Sequence, residues 1–140
     1  MTAYYGENFT KTRATPALKV GVTDWGGRVR AMYDKYEFSG GNPADGSTVS
    51  MAKAPLGARV VGGWFKNTAI GTAGSFLVGK TGDTDALSGA IDVSAAAQTD
   101  FTGTDVGEKL TAETEYFVTM TNGGTATAGT LEMCVYYVVD

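Results

Sequence analysis

From Arg28 onward the apolar positions recur every second residue, in short runs separated by turn formers, and no stretch sustains a helical period. Val29, Ala31 and Tyr33 alternate with Arg30, Met32 and Asp34, which predicts a first strand. Ser39-Gly40-Gly41-Asn42-Pro43-Ala44-Asp45-Gly46 is dense in turn formers and closes it. Val49 and Met51 open a second strand, stopped by Pro55-Leu56-Gly57. A third runs from Arg59 to Lys66 through Val60, Val61, Trp64 and Phe65, and its Gly62-Gly63 pair predicts a bulge. Phe76 and Val78 share one face of a fourth. Residues 81–109 are rich in Gly, Ala, Asp and Thr and predict one short strand around Ile91-Asp92-Val93. Ser88-Gly89 and Asp92-Val93 argue against a long helix over Ala86–Ala97.

The C-terminal third alternates most clearly. Tyr116, Val118 and Met120 interleave with Phe117, Thr119 and Thr121, Asn122-Gly123-Gly124 turns the chain, and Thr130–Val139 returns, which predicts a β-hairpin. In the last strand Leu131, Met133, Val135, Tyr137 and Val139 share one face, and Glu132, Cys134, Tyr136 and Val138 the other. Both faces become apolar toward the end, which predicts a central strand covered on both sides. Thr72-Ala73-Gly74-Ser75-Phe76 echoes Thr127-Ala128-Gly129-Thr130-Leu131, and each stretch precedes a strand. Short strands of this number and spacing predict an all-β fold, a β-sandwich over residues 27–140 of which a jelly roll is one form. Residues 1–26 read differently. Tyr4, Tyr5, Phe9 and Trp25 stand among Lys11, Arg13 and Lys19 without a sustained period, which predicts an extended N-terminal arm ordered against a partner subunit.

At 140 residues the chain accommodates one core, and 43% hydrophobic with 19% charged residues is a globular composition. No apolar run is long enough to span a bilayer, and the first eight residues lack the basic start and apolar stretch of a signal peptide. One cysteine, Cys134, leaves no disulfide within the chain, which suits synthesis in a reducing cytoplasm; it reads as a small buried apolar residue. The absence of histidine removes the commonest general base and metal ligand, so Ser-His and Cys-His catalysis are excluded. Residues 1–66 hold nine Lys/Arg against five Asp/Glu (+4), and residues 67–140 hold two against ten (−8). The net charge of −4 argues against nucleic acid as a partner, while the basic segment suits an acidic protein surface.

Three patterns invite chemistry. Gly74-Ser75-Phe76-Leu77-Val78-Gly79-Lys80-Thr81 satisfies the phosphate-loop pattern letter by letter. Its middle residues form a strand, however, and Thr81-Gly82-Asp83-Thr84-Asp85 after it breaks a helix, so context refutes the match. Asp83-x-Asp85 with Asp92 offers oxygens to Ca²⁺ but lacks the EF-hand spacing, and solvated turn aspartates are the simpler reading. Trp25 and Trp64 could stack a sugar; Trp64 reads as core, and Trp25, beside Gly26-Gly27, as the surface tryptophan.

The C-terminal Gly129-Thr130-Leu131-Glu132-Met133-Cys134-Val135-Tyr136-Tyr137-Val138-Val139-Asp140 resembles the ending of small capsid decoration (cement) proteins of tailed bacteriophages. Pro55-Leu56-Gly57-Ala58-Arg59-Val60-Val61-Gly62-Gly63-Trp64 resembles their central run, and Gly74 to Gly79 their Gly-[Ser/Thr]-apolar strand. The resemblance covers residues 28–140. It implies a virion structural protein without enzymatic activity or cofactor, on the outer capsid surface, often as a homotrimer, clamping major capsid protein subunits. Tyr4, Tyr5, Phe9, Lys11, Arg13 and Trp25 are then the expected partner contacts, with the aromatics as anchors. The competing expectation is a carbohydrate- or receptor-binding β-module of a phage fibre or adhesin, which would carry its aromatic platform on a folded face.

Overall fold

The structure, a computed structural model, describes residues 11, 13, 14, 16–19, 27–38, 46–70, 75–121 and 129–139. Turn residues cut them into eight strands: β1 Val29–Phe38, β2 Thr48–Ala54, β3 Arg59–Asn67, β4 Ser75–Lys80, β5 Asp83–Asp92, β6 Ala97–Asp100, β7 Thr114–Thr121 and β8 Gly129–Val138. All pairing between them is antiparallel. Gly57 and Gly82 sit at φ of 84° and 85° in the turns after β2 and β4, where a side chain would be strained.

The pairs β1 with β8, β2 with β7, β3 with β6 and β4 with β5 make the chain one long two-stranded ribbon whose tip is the Thr81-Gly82 turn. Two further pairings, β8 with β3 and β7 with β4, close the ribbon into two four-stranded sheets. Sheet A has the order β1-β8-β3-β6 and sheet B the order β2-β7-β4-β5. The molecule is thus an all-β sandwich.

Between the sheets lie the residues that strand alternation turns inward. Sheet A contributes Phe38, Val60, Phe65, Leu131, Met133 and Val135; sheet B contributes Phe76, Val78, Leu87, Tyr116, Val118 and Met120, all buried. Phe76 links the layers, with its ring centroid 6.2 Å from Phe38 and 6.4 Å from Phe65. Each such side chain contributes about 1.5–3 kcal/mol by leaving water. Residues 101–110 stitch one side of the sandwich shut. Phe101 N–H donates to Gly63 C=O (3.0 Å) and Gly107 N–H to Val60 C=O (2.7 Å) on sheet A, while Gly103 N–H reaches Leu87 C=O (2.8 Å) on sheet B. Gly63, at φ 152°, admits this loop: a Cβ there would strike the Cys134 carbonyl and lie 2.8 Å from the Phe101 ring.

The first four strands and the bulge in β3, which falls between Val60 and Gly62, match the sequence expectations. The C-terminal hairpin does not form. β7 lies between β2 and β4, and β8 lies between β1 and β3, in the opposite sheet. Residues 122–128 are long enough to cross the sandwich, and crossing lets the inward rows of the two strands bury each other. The threonine-alanine-glycine echo therefore precedes two crossings, each leading into an interior strand, β4 or β8. Residues 81–109 hold two strands where one short strand was expected, because register shifts at Phe76/Val78 and Val78/Lys80 in the β4–β5 pair erase the alternation in β5.

Candidate functional site

Antiparallel registry lines up Tyr33, Cys134 and Trp64 across β1, β8 and β3, on the face of sheet A that points away from Phe65 and Met133. Strands two apart are separated by roughly 9.6 Å. The Tyr33 and Trp64 ring centroids are only 6.2 Å apart, so the rings lean toward each other over β8. This roof explains why Cys134 is 6% exposed on an outward face. Burial raises the thiol pKa, which keeps it protonated and unreactive.

Polar edges of the cluster are tied down. Tyr33 Oη donates to Glu132 Oε1 at 2.6 Å, and Trp64 Nε1 donates to Tyr136 Oη at 3.0 Å. The hydrogen bond to the Glu132 carboxylate raises the Tyr33 phenol pKa. Tyr33 is nevertheless 55% exposed, and Val29 on the same face is 60% exposed. The two rings stand fixed in solvent, held from behind. Trp64 is accordingly half-buried on the outer face and not a core residue. β8 is an interior strand as expected, but no second layer covers its outward row among the described residues; neighbouring side chains shield Cys134 and Val138.

Among the expected contacts, Tyr4, Tyr5, Phe9 and Trp25 lie outside the described residues. Lys11 is half-buried and Arg13 exposed, both with helical backbone where an extended course was expected. The Lys11 carbonyl accepts from Leu18 N–H at 2.9 Å and from Ala14 N–H at 3.3 Å, which closes the segment into a local turn. Tyr33, Trp64 and Tyr136 as a group escaped sequence reasoning. Their signal was the apolar second row of β8 beside the Val29-Ala31-Tyr33 row of β1.

A second polar cluster lies inside the sandwich at the end of β4. Lys80 Nζ contacts both carboxylate oxygens of Asp105, at 2.9 and 2.8 Å, and Tyr116 Oη donates to Asp105 Oδ2 at 2.9 Å. Burial, then the bond to Asp105, pushes the Tyr116 pKa far above the usual tyrosine range. A cavity of about 400 Å³ opens beside these groups, bordered by Glu108, Lys109, Leu110 and Thr114. The lysine of the phosphate-loop pattern is thus committed to a carboxylate at the end of a strand, and an antiparallel strand follows it in place of a helix. Nor do the aspartates converge: Asp83 and Asp92 end opposite ends of β5, about 30 Å apart in an extended strand. Asp92 instead accepts from Ser94 N–H at 2.9 Å, which lowers its pKa. No group of three potential metal ligands occurs among the described residues.

No protein-family model matches the chain, and no curated protein matches it in sequence. Solved structures do. A chain of the cyanophage Pam1 capsid asymmetric unit is similar with a TM-score of 0.70 and 20% identity, over 83% of this chain and 88% of that one. A chain of the Ralstonia phage GP4 capsid follows at 0.64 and 17%, over 79% and 85%. One from the acidic stable capsid of Helicobacter pylori bacteriophage KHP30 gives 0.58 and 15%, over 80% and 92%. The fold is shared with components of phage capsids. Each matched chain is covered nearly end to end, so each is a small chain of comparable length. At these identities the likeness is one of fold.

Proposed function

We propose that this chain is a virion structural protein that decorates the outer surface of a phage capsid, binding major capsid subunits and adding no enzymatic activity. The observation that carries the reading is the nearly end-to-end fold similarity to small chains in three phage capsid structures. The two-ribbon strand order supports a jelly roll, and a homotrimer would shield the edge strands β1 and β2 from uncontrolled pairing. Mechanically the action is additive: each copy buries a modest surface across neighbouring subunits, and many copies resist internal pressure together. The aromatic, basic N-terminal residues Tyr4, Tyr5, Phe9, Lys11, Arg13 and Trp25 act as an arm that reaches over the shell.

Mixing the purified protein with heads assembled without it, followed by cryo-electron microscopy, tests the reading. Ordered density at regular positions outside the shell is the expected result, and bare shells at saturating protein would refute it. Deleting residues 1–26 should leave the folded sandwich intact and abolish decoration. A second reading, a carbohydrate-binding module, has one observation in its favour: the exposed aromatic pair Tyr33 and Trp64 lies on a folded face. Sugar-dependent quenching of tryptophan fluorescence together with glycan-array binding would select it over decoration.

A further inference from the structure

Exposed large hydrophobic side chains are unevenly distributed. Among the described residues they are Val29, Tyr33 and Tyr36 on β1, Val61 on β3, Leu56 in the β2–β3 turn and Leu18. None lies on β2, β4, β5 or β7 of sheet B. Registry brings Val29, Ala31 and Tyr33 beside Cys134, Tyr136 and Val138, with Trp64 one strand further on and the bulge residue Val61 at the same end. Residues 28–33, 59–64 and 134–139 carry three arginines, Arg28, Arg30 and Arg59, and no carboxylate or lysine. Arg59 is held in place by its Nη1 donating to Gly107 C=O at 2.6 Å. Tyrosine, tryptophan and arginine without lysine or carboxylates is the composition of a protein–protein interface core. The other half of the same face is ordinary solvated surface, with Lys35, Glu37, Lys66 and Glu132 intermixed.

Resting on the decoration reading, we infer that the Val29–Tyr33–Trp64 end of sheet A is the docking surface for the capsid subunit, and that it fits an apolar patch rimmed by carboxylates. The arginine rim supplies the charge complementarity. A second copy is the poorer occupant. Sheet B offers no exposed apolar side chain to receive the patch, and two copies meeting patch to patch would bring Arg28 and Arg30 of both into repulsion. Tyr33 is the anchor, since its ring is exposed while its hydroxyl is already oriented by Glu132, so little freedom is lost on docking.

The test is binding of full-length protein to shells assembled without it, with Tyr33→Ala, the pair Arg28→Glu/Arg30→Glu, and Thr48→Ala on sheet B as variants, each checked by thermal melting. Val29→Ser replaces Tyr33→Ala should that variant lose its fold. The expected result is binding weakened about tenfold or more by each patch variant, a dependence on salt that the Arg28→Glu/Arg30→Glu pair reduces, and no change for Thr48→Ala. Wild-type protein that leaves shells bare overturns the decoration reading and this inference with it. Wild-type protein that binds while the patch variants bind equally well overturns the inference alone. Patch variants that dissociate into smaller assemblies on sedimentation, with shell binding lost only in consequence, assign the patch to a second copy and overturn it likewise.

Discussion

The two outer faces of the sandwich are built by one chain over one core, yet they differ in chemistry. Sheet A turns Val29, Tyr33, Trp64 and Tyr136 outward; sheet B turns Thr48, Ser50, Glu115, Phe117 and Thr119 outward, with Phe117 half-buried and Ser50 Oγ donating to Glu115. Charge follows the same division. The strands of sheet B carry Lys53 and Lys80 against Asp83, Asp85, Asp92 and Glu115, whereas the arginines cluster at one end of sheet A. Nothing in a sandwich requires an apolar outer face, because each sheet already buries its inner row. Tyrosine and tryptophan held in water by bonds to Glu132 and Tyr136 therefore indicate a surface shaped for contact, and the threonine face is the inert reference against which to measure it.

The core shared by both faces sets the largest effect. Phe65→Ala, removing a fully buried ring that meets Phe76, should cost about 3–5 kcal/mol in denaturant unfolding and degrade both faces together. Asp105→Ala should cost about 2 kcal/mol, because it strands the partly buried Lys80 ammonium and the Tyr116 hydroxyl, and hydrogen exchange should accelerate over residues 101–110. Tyr116 adds a pH signature. Its folded pKa is raised above the usual 10.0, so its contribution is complete below pH 10 and is lost as pH rises further, when the unfolded chain ionises first. Melting temperature should fall above that pH in the wild type and fall less in Tyr116→Phe.

Smaller effects separate the faces. Trp64→Ala should cost about 1–2 kcal/mol through lost packing, against about 0.5 kcal/mol or less for Thr48→Ala. Equal losses from the two would remove the distinction between the faces. The finest probe is Cys134. Native protein at pH 8 should react slowly with a thiol reagent, and Tyr33→Ala should speed the reaction without shifting the melting curve, because the roof opens while the strand stays paired. Unchanged labelling would show that the two rings do not shield the thiol.

Much of the fold was legible in the pattern of residues. β1 to β4 fall where alternation and turn formers place them, and the Gly62-Gly63 bulge falls where paired glycines weaken a strand. β5 was not legible, since its bulged pairing with β4 breaks the period that a reader follows. The candidate surface was half legible. The apolar second row of β8 stood out, but it read as a strand covered on both sides, because a sequence cannot distinguish a row hidden under a second layer from one shielded by its own neighbours. Tyr33 and Trp64, 31 positions apart, become neighbours only through their common register with Cys134.

What the residues determine alone is local: extended backbone from β-branched and aromatic alternation, turns from glycine and proline, and the exclusion of histidine chemistry from composition. Which strands pair is decided only by tertiary structure. The β7–β8 segments carry hairpin grammar, yet their inward rows bury more apolar surface facing each other across the sandwich than lying side by side in one sheet. That choice sends β8 between β1 and β3. It thereby sets Tyr33 and Trp64 on either side of Cys134 and creates the face on which the proposed contact depends.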